Sequence, residues 1–329
     1  TMNENTQFKY RWWGKGDIDA SLGIFFDGFS KILTATGIMT AVFGMPARVV
    51  IGKVVPGIGL AIFLGNLWYF YEAWCLAHRE RRQNVTSQPF GIGASQLSGW
   101  LYLIIGPVYW QTGDCDLALQ VGLAAAFVGG LVEIAGGFAG RWIVKTVPNS
   151  ALMGNMASSA MVWLSIVGLA MVFDKPVYAV LPLFIIIIDY LGKADKRFAK
   201  IPSGVIAILI GTAAAWACGY LTPGALKDSF SELGFYPPSL GIGDIAAGFK
   251  GIVPYLPVII PLQINNFLST LQGLESAKMA GDVYPERRSM IMDGVSTLTG
   301  ALFGNPFPTT VYFGHPGWKE LDARAGFSL

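Results

Sequence analysis

The chain has 329 residues, of which 53% are hydrophobic and only 13% charged, with a mean hydropathy of +0.50. A soluble globular protein carries about 25% charged residues, so this composition argues against a water-soluble domain and for a polytopic helical membrane protein that has the lipid bilayer as its first partner. The net charge of +2 gives no footing for nucleic acid, because the basic residues gather in short loops, and Cys75, Cys115 and Cys218 lie too far apart for a metal-binding spacing or a disulfide framework.

Residues 1–19 are polar and lack the apolar core of a secretory signal. At about 20 residues per span, apolar segments fall at 20–46, 54–77, 91–110, 117–140 and 148–173. Others follow at 176–191, 203–222, 247–276 and 289–304, and a broken stretch makes a tenth. With the N-terminus in the cytoplasm and sides alternating, 17 of the 23 Lys and Arg residues fall on the cytoplasmic side. Arg48, Lys53, Lys175, Lys227 and Lys250 fall outside, and Lys31 stays inside the first span. That asymmetry obeys the positive-inside rule. It predicts an integral membrane protein, N-terminus cytoplasmic, of a bacterial inner membrane. The sequon Asn84-Val85-Thr86 lies on the cytoplasmic side and is read as chance.

The tenth segment, Asn305–Trp318, holds three prolines, two glycines, Thr309, Thr310, Tyr312 and His315 in apolar surroundings. Proline removes a backbone donor and clashes with the preceding turn, so no uninterrupted helix forms there. Gln88-Pro89-Phe90-Gly91 running to Gly99-Trp100 echoes it from amide-Pro-Phe to Gly-Trp. An odd number of spans separates the two, so they run in opposite directions, as in the inverted repeats of transporters. Short extended pieces, Ser87–Phe90 and Thr309–Tyr312, are expected to cross near mid-membrane and satisfy each other's backbone groups. A helix beginning near Pro316 would point its positive end at the crossing. The chain begins on Thr1 and stops soon after the broken segment, so a piece of a longer reading frame is expected.

Polar groups in a bilayer are costly unless paired, which makes them functional candidates. The eighth span carries the densest set, with Gln263, Asn266 and Thr270 on one face at i, i+3 and i+7. Amides and hydroxyls both donate and accept, which suits a heterocycle with ring N–H, ring N and C=O groups. The plainer alternative is hydrogen bonding between helices. Glu275, late in the same span, is a candidate coupling acid or a charge reaching the interface. Asp282 and Asp293, beside basic loops, read as solvated or capping. Asp27 and Lys31 stand i, i+4 apart and can neutralise each other in one helix, although Asp27 could also face the site. His315 changes charge near neutral pH and is either functional or bonded to a neighbouring carbonyl. No metal cluster, phosphate loop or serine elbow is present in the sequence, so no enzyme and no cofactor is expected.

Several stretches resemble the nucleobase–ascorbate transporter superfamily (xanthine/uracil permeases), nearest its hypoxanthine/adenine/guanine permease branch. They are Gly140–Ser150, Leu274-Glu275-Ser276-Ala277, Met292-Asp293-Gly294 with Leu302-Phe303-Gly304, and Pro308-Thr309-Thr310-Val311-Tyr312. The resemblance implies an all-α polytopic fold of inverted seven-helix repeats, the second incomplete here, with short strands in broken helices 3 and 10. It implies a core made of residues 1–146 (helices 1–4) and 225–329 (helices 8–10), a gate part at 147–224 (helices 5–7), and helices 11–14 absent. It also implies a small-molecule solute held between the two strands, coupled to protons or sodium, with a homodimer as a common form. On this reading Gln88, Gln263, Asn266, Thr309 and Thr310 bind the solute, Phe90 or Tyr312 stacks on it, and Glu275, His315 or Asp27 serves coupling. The sequence departs from the family where Phe313-Gly314-His315 replaces an acid or glutamine, and where Leu268 stands at an acidic position of helix 8. The leading expectation is an elevator-type secondary transporter of nucleobase-like solutes. The rivals are an anion transporter of the same fold, of the sulfate or bicarbonate class, and a non-transporting fragment.

Overall fold

The computed structural model describes residues 8–146, 160–192, 203–224 and 234–329, with 148, 150, 151, 154, 157, 158 and 230 between them. Lys193, Lys196, Arg197, Lys200 and Lys227 of the expected loops, and Val147 and Asn149 of the 140–150 stretch, lie outside the described residues.

Proline shapes the first half. Helix α1 (Asp17–Val42) ends in a wide π-turn at Ile38–Val42, and α2 (Ala47–Glu80) passes through another at Val50–Val54. The second π-turn lies just before Pro56, whose ring would clash with the carbonyl four residues back in a regular helix. A wider turn relieves that clash. The same device recurs after strand β1 (Phe90–Ile92): α3 (Ala94–Trp100) widens at Leu101–Ile105 and resumes as α4 (Gly106–Thr112), with Pro107 in its first turn. Helix α5 (Cys115–Thr146) then runs the length of the core. A π-turn at Ala160–Ile166 leads into α6 (Val167–Asp174), followed by α7 (Pro176–Gly192) and α8 (Ser203–Ala217).

The second half repeats the break. The short α9 (Ile242–Gly248) and the stretch Val253–Met279, which contains α10 (Leu256–Met279), meet at 74°, so the expected span 247–276 is bent at its start. Gly248, Gly251 and Pro254 occupy the bend. Helix α11 (Glu286–Leu302) leads into strand β2 (Thr309–Val311) and then α12 (His315–Glu320). Among the described residues three helices, Asp17–Val42, Ala47–Glu80 and Cys115–Gly140, are by themselves long and apolar enough to cross a membrane, and the bent pair makes a fourth.

The strands pair antiparallel, Phe90 with Val311, Gly91 with Thr310 and Ile92 with Thr309. This corrects the expected first strand, Ser87–Phe90, by three residues. Pro89 has no N–H to give a ladder, although its carbonyl accepts from the Tyr312 amide at 2.8 Å. Ser87 instead bonds to the chain's last segment, its amide donating to the Arg324 carbonyl at 3.1 Å.

The core forms where glycine lets backbones touch. Helices α5 and α11 cross so closely that a Cβ on Gly130 would stand 2.8 Å from the Gly294 carbonyl. A Cβ on Gly57 of α2 would stand 2.4 Å from the Phe303 carbonyl. With no hydrophobic force between helices in lipid, such small-residue contacts hold the bundle. The site lies between α5, α10, α11 and the strand pair.

Candidate functional site

Each strand is fastened by a polar side chain from the helix preceding it. Asn66 of α2 receives the Phe90 amide at 3.0 Å and donates to the Phe90 carbonyl at 3.2 Å. Thr297 of α11 receives the Thr309 amide at 3.0 Å. These bonds satisfy buried backbone groups that a broken helix leaves open.

The residues expected to bind solute largely come together here. Asn266 donates its amide to the Thr309 carbonyl at 3.0 Å and also to Glu133 of α5. The Thr309 hydroxyl lies 2.9 Å from that of Thr297, and the Thr310 hydroxyl 3.0 Å from that of Thr270. Gln88 donates to the Gly273 carbonyl at 3.4 Å, and its Oε1 has no partner. Gln263, one turn before Asn266, is wholly buried against Gly129, and neither atom of its amide has a partner. The Tyr312 hydroxyl donates to the Ile92 carbonyl at 3.2 Å and leans over Gly91, where a Cβ would stand 2.3 Å from it. The Phe90 ring turns back into α2, packed over Gly65 and 5.7 Å from the Tyr69 ring.

The expected coupling residues are more scattered. Asp27 pairs with Lys31 at 2.5 Å within α1, and the Lys31 ammonium lies 3.9 Å from the centre of the Tyr312 ring. That contact brings α1 to the crossing. Glu275 is engaged by Lys278 at 3.0 Å. His315 is wholly buried, with Nε2 2.8 Å from Asp282. The helix it opens has only six residues.

Two expectations are overturned. Asp282 and Asp293, read as solvated or capping, are both fully buried. Asp282 sits in the α10–α11 loop, within 2.8 Å of Arg82, Lys319 and His315. Burial alone pushes its carboxyl up, but hydrogen bonds and charge from His315 and Lys319 outweigh this and hold it below the ordinary carboxylate value. Asp293 receives the Tyr69 hydroxyl at 2.5 Å and the Thr270 hydroxyl.

Glu133 is the residue that sequence reasoning missed. It is fully buried, receiving the Asn266 amide on Oε1 and the Thr297 hydroxyl on Oε2 at 3.1 Å. A lone carboxylate inside the apolar run 117–140 was the available signal.

Two broken segments pair as strands inside a bundle of apolar helices, the fold of an integral membrane protein. Among solved structures, the chain is similar to the transmembrane domain of a cyanobacterium bicarbonate transporter, BicA. The TM-score is 0.55 at 15% identity, covering 95% of this chain and 76% of that one. No family model and no curated protein matches the chain.

Proposed function

We propose that the chain is a secondary transporter carrying a nucleobase-like solute past the crossing of β1 and β2. The observation that carries this reading is Gln263, a wholly buried amide with neither its donor nor its acceptor engaged. Each such unmet group costs about 1–3 kcal/mol. A solute edge presenting a C=O beside a ring N–H would offset both at once. Gln88 Oε1 adds a second open acceptor. The likeness of residues 140–150 and 308–312 to nucleobase permeases supports the same class. On this reading residues 1–146 and 225–329 form a core that slides against a gate part at 147–224, driven by a proton or sodium gradient.

One observation favours a second reading. The Lys31 ammonium beside the Tyr312 ring puts a cation at the crossing, which suits a small anion such as bicarbonate or sulfate.

Uptake by proteoliposomes holding the full chain separates the two. Labelled uracil, xanthine and hypoxanthine are tested against bicarbonate and sulfate. Gln263→Leu should lower nucleobase uptake about tenfold, equivalent to about 1.4 kcal/mol, while Lys31→Met should leave it largely intact. Background uptake of every nucleobase, with anion uptake that depends on Lys31, would replace the first reading by the second. Uptake of neither class would leave a non-transporting protein.

A further inference from the structure

The strand threonines differ from ordinary helix-packing hydroxyls because each leads, through a second threonine, to a buried acid. Thr310 meets Thr270, which donates to Asp293. Thr309 meets Thr297, which donates to Glu133. Neither acid has an ion-pair partner among the described residues, and both are fully buried.

The two acids are not equivalent. Asp293 is enclosed by donors: the Tyr69 hydroxyl, the Thr270 hydroxyl and the Val311 backbone amide. Glu133 has only the Asn266 amide and the Thr297 hydroxyl, and the Asn266 amide also serves the Thr309 carbonyl. The titratable groups facing Glu133 are Asp293 of α11 and Tyr69 of α2, neither of which brings positive charge. A buried negative charge met by two neutral donors, with no cation beside it, is complementary to a proton.

We propose that Glu133 is the proton-carrying group of this core and that Thr297 reports its state to strand β2. The proposal rests on the transporter reading above and adds the site of coupling to it. The hydrogen-bond count shows how the signal passes. A threonine hydroxyl has one hydrogen to donate and two lone pairs. With Glu133 ionised, Thr297 donates to Oε2 and accepts from both the amide and the hydroxyl of Thr309. When a proton binds Oε2, that O–H donates to Thr297 Oγ1, and Thr297 passes its own hydrogen to Thr309 Oγ1. The Thr309 hydroxyl hydrogen is thereby released toward the crossing, where a solute acceptor can take it. Thr297 keeps all of its bonds in both states, so the one donor the reversal frees is the hydroxyl hydrogen of Thr309, which is itself buried and is paired again only by a solute acceptor. Glu275 and His315, the acid and base first expected to couple, are already held by Lys278 and Asp282.

Two measurements on the full chain test this. Infrared pH titration of the protein in detergent should show a carboxylic-acid C=O band that titrates. That band should be missing in Glu133→Gln and present in Asp114→Asn, an exposed loop control. In proteoliposomes, Glu133→Gln and Thr297→Val should both lower the ratio of pH-driven solute accumulation to solute counterflow, with Thr297→Val retaining the infrared band. A titrating band that survives in Glu133→Gln, or no such band in the wild type, overturns the proposal. So does an unchanged accumulation ratio in both variants. Absence of counterflow in the wild type defeats the transporter reading alone, because the infrared result still decides the protonation of Glu133.

Discussion

The crossing of α5 and α11 offers a quantitative test of how the core is held. A Cβ on Gly130 would stand 2.8 Å from the Gly294 carbonyl and 3.0 Å from the Leu298 amide nitrogen. Reciprocally, a Cβ on Gly294 would stand 2.7 Å from the Gly130 carbonyl and 2.9 Å from the Ile134 nitrogen. Ordinary contact begins near 3.4 Å, and although Leu298 Cγ and Ile134 Cγ1 also lie close and belong to side chains, these opposing carbonyl and nitrogen atoms are backbone, which cannot swing aside. Either alanine must therefore push the helices apart by about half an ångström, at about 1–3 kcal/mol, the usual cost of overpacking. The double variant should cost less than the sum. Once one methyl has opened the crossing, the second enters space already made, giving a coupling of about 0.5–3 kcal/mol. Unfolding in mixed micelles of Gly130→Ala, Gly294→Ala and the pair measures this. Gly28→Ala serves as control, since nothing lies within 4 Å of its Cβ position. There the change should be neutral or stabilising by up to about 1 kcal/mol. Wild-type stability in both single variants, or strictly additive losses in the pair, would refute the close-contact argument.

Two further outcomes follow from the buried polar groups. Because Asp282 is held below its ordinary value, the stability it supplies is fully present above about pH 3.9 and is lost as pH falls through its folded value. Asp282→Asn, which strands the Arg82 and Lys319 cations, should cost about 3–5 kcal/mol at neutral pH, and the gap to wild type should close below about pH 4; a gap independent of pH in thermal melts would contradict this. Asn66→Leu removes both bonds to the Phe90 backbone and leaves a buried N–H and C=O at about 1–3 kcal/mol each. It should lower both unfolding stability and solute uptake, and retention of both would show that β1 does not depend on the clamp.

The parts of this architecture that were legible in the sequence are those with local causes. Proline and glycine clusters announce their own breaks, so the paired interruptions at 88–100 and 305–318 could be read directly. The i, i+3, i+7 face of Gln263, Asn266 and Thr270 is also local geometry, and all three residues are buried. What could not be read depends on partners far away in the chain. Asp282 lies next to basic residues in sequence, but Arg82, 200 residues earlier, helps to bury it. Asp293 is matched by Tyr69 across 224 residues. Strand β1 begins three residues late because its ladder is set by contact with β2 and α2, and the missing Pro89 donor becomes decisive only once that partner is known. Glu133 was legible as the single carboxylate of the apolar run 117–140, but its role depends on Asn266 and Thr297, which lie 133 and 164 residues further along the chain.

The two clamps differ in a way that bears on function. Asn66 holds β1 with a neutral amide, whose donor and acceptor keep their directions whatever the pH. Thr297 holds β2 with a hydroxyl whose hydrogen points either to Glu133 or to Thr309. Only the second clamp can change its hydrogen-bonding direction without losing a bond. On the proposal above, a proton arriving at Glu133 acts on β2 and leaves β1 in place, so two strands that are each clamped by a side chain of the preceding helix differ in chemistry. The consequence is a separation of effects. Replacing Asn66 should weaken the protein to the same extent at every pH, whereas replacing Thr297 by Val should alter how solute affinity depends on pH. Parallel pH profiles of solute binding for Thr297→Val and the wild type would mean that the direction of the hydroxyl carries no signal.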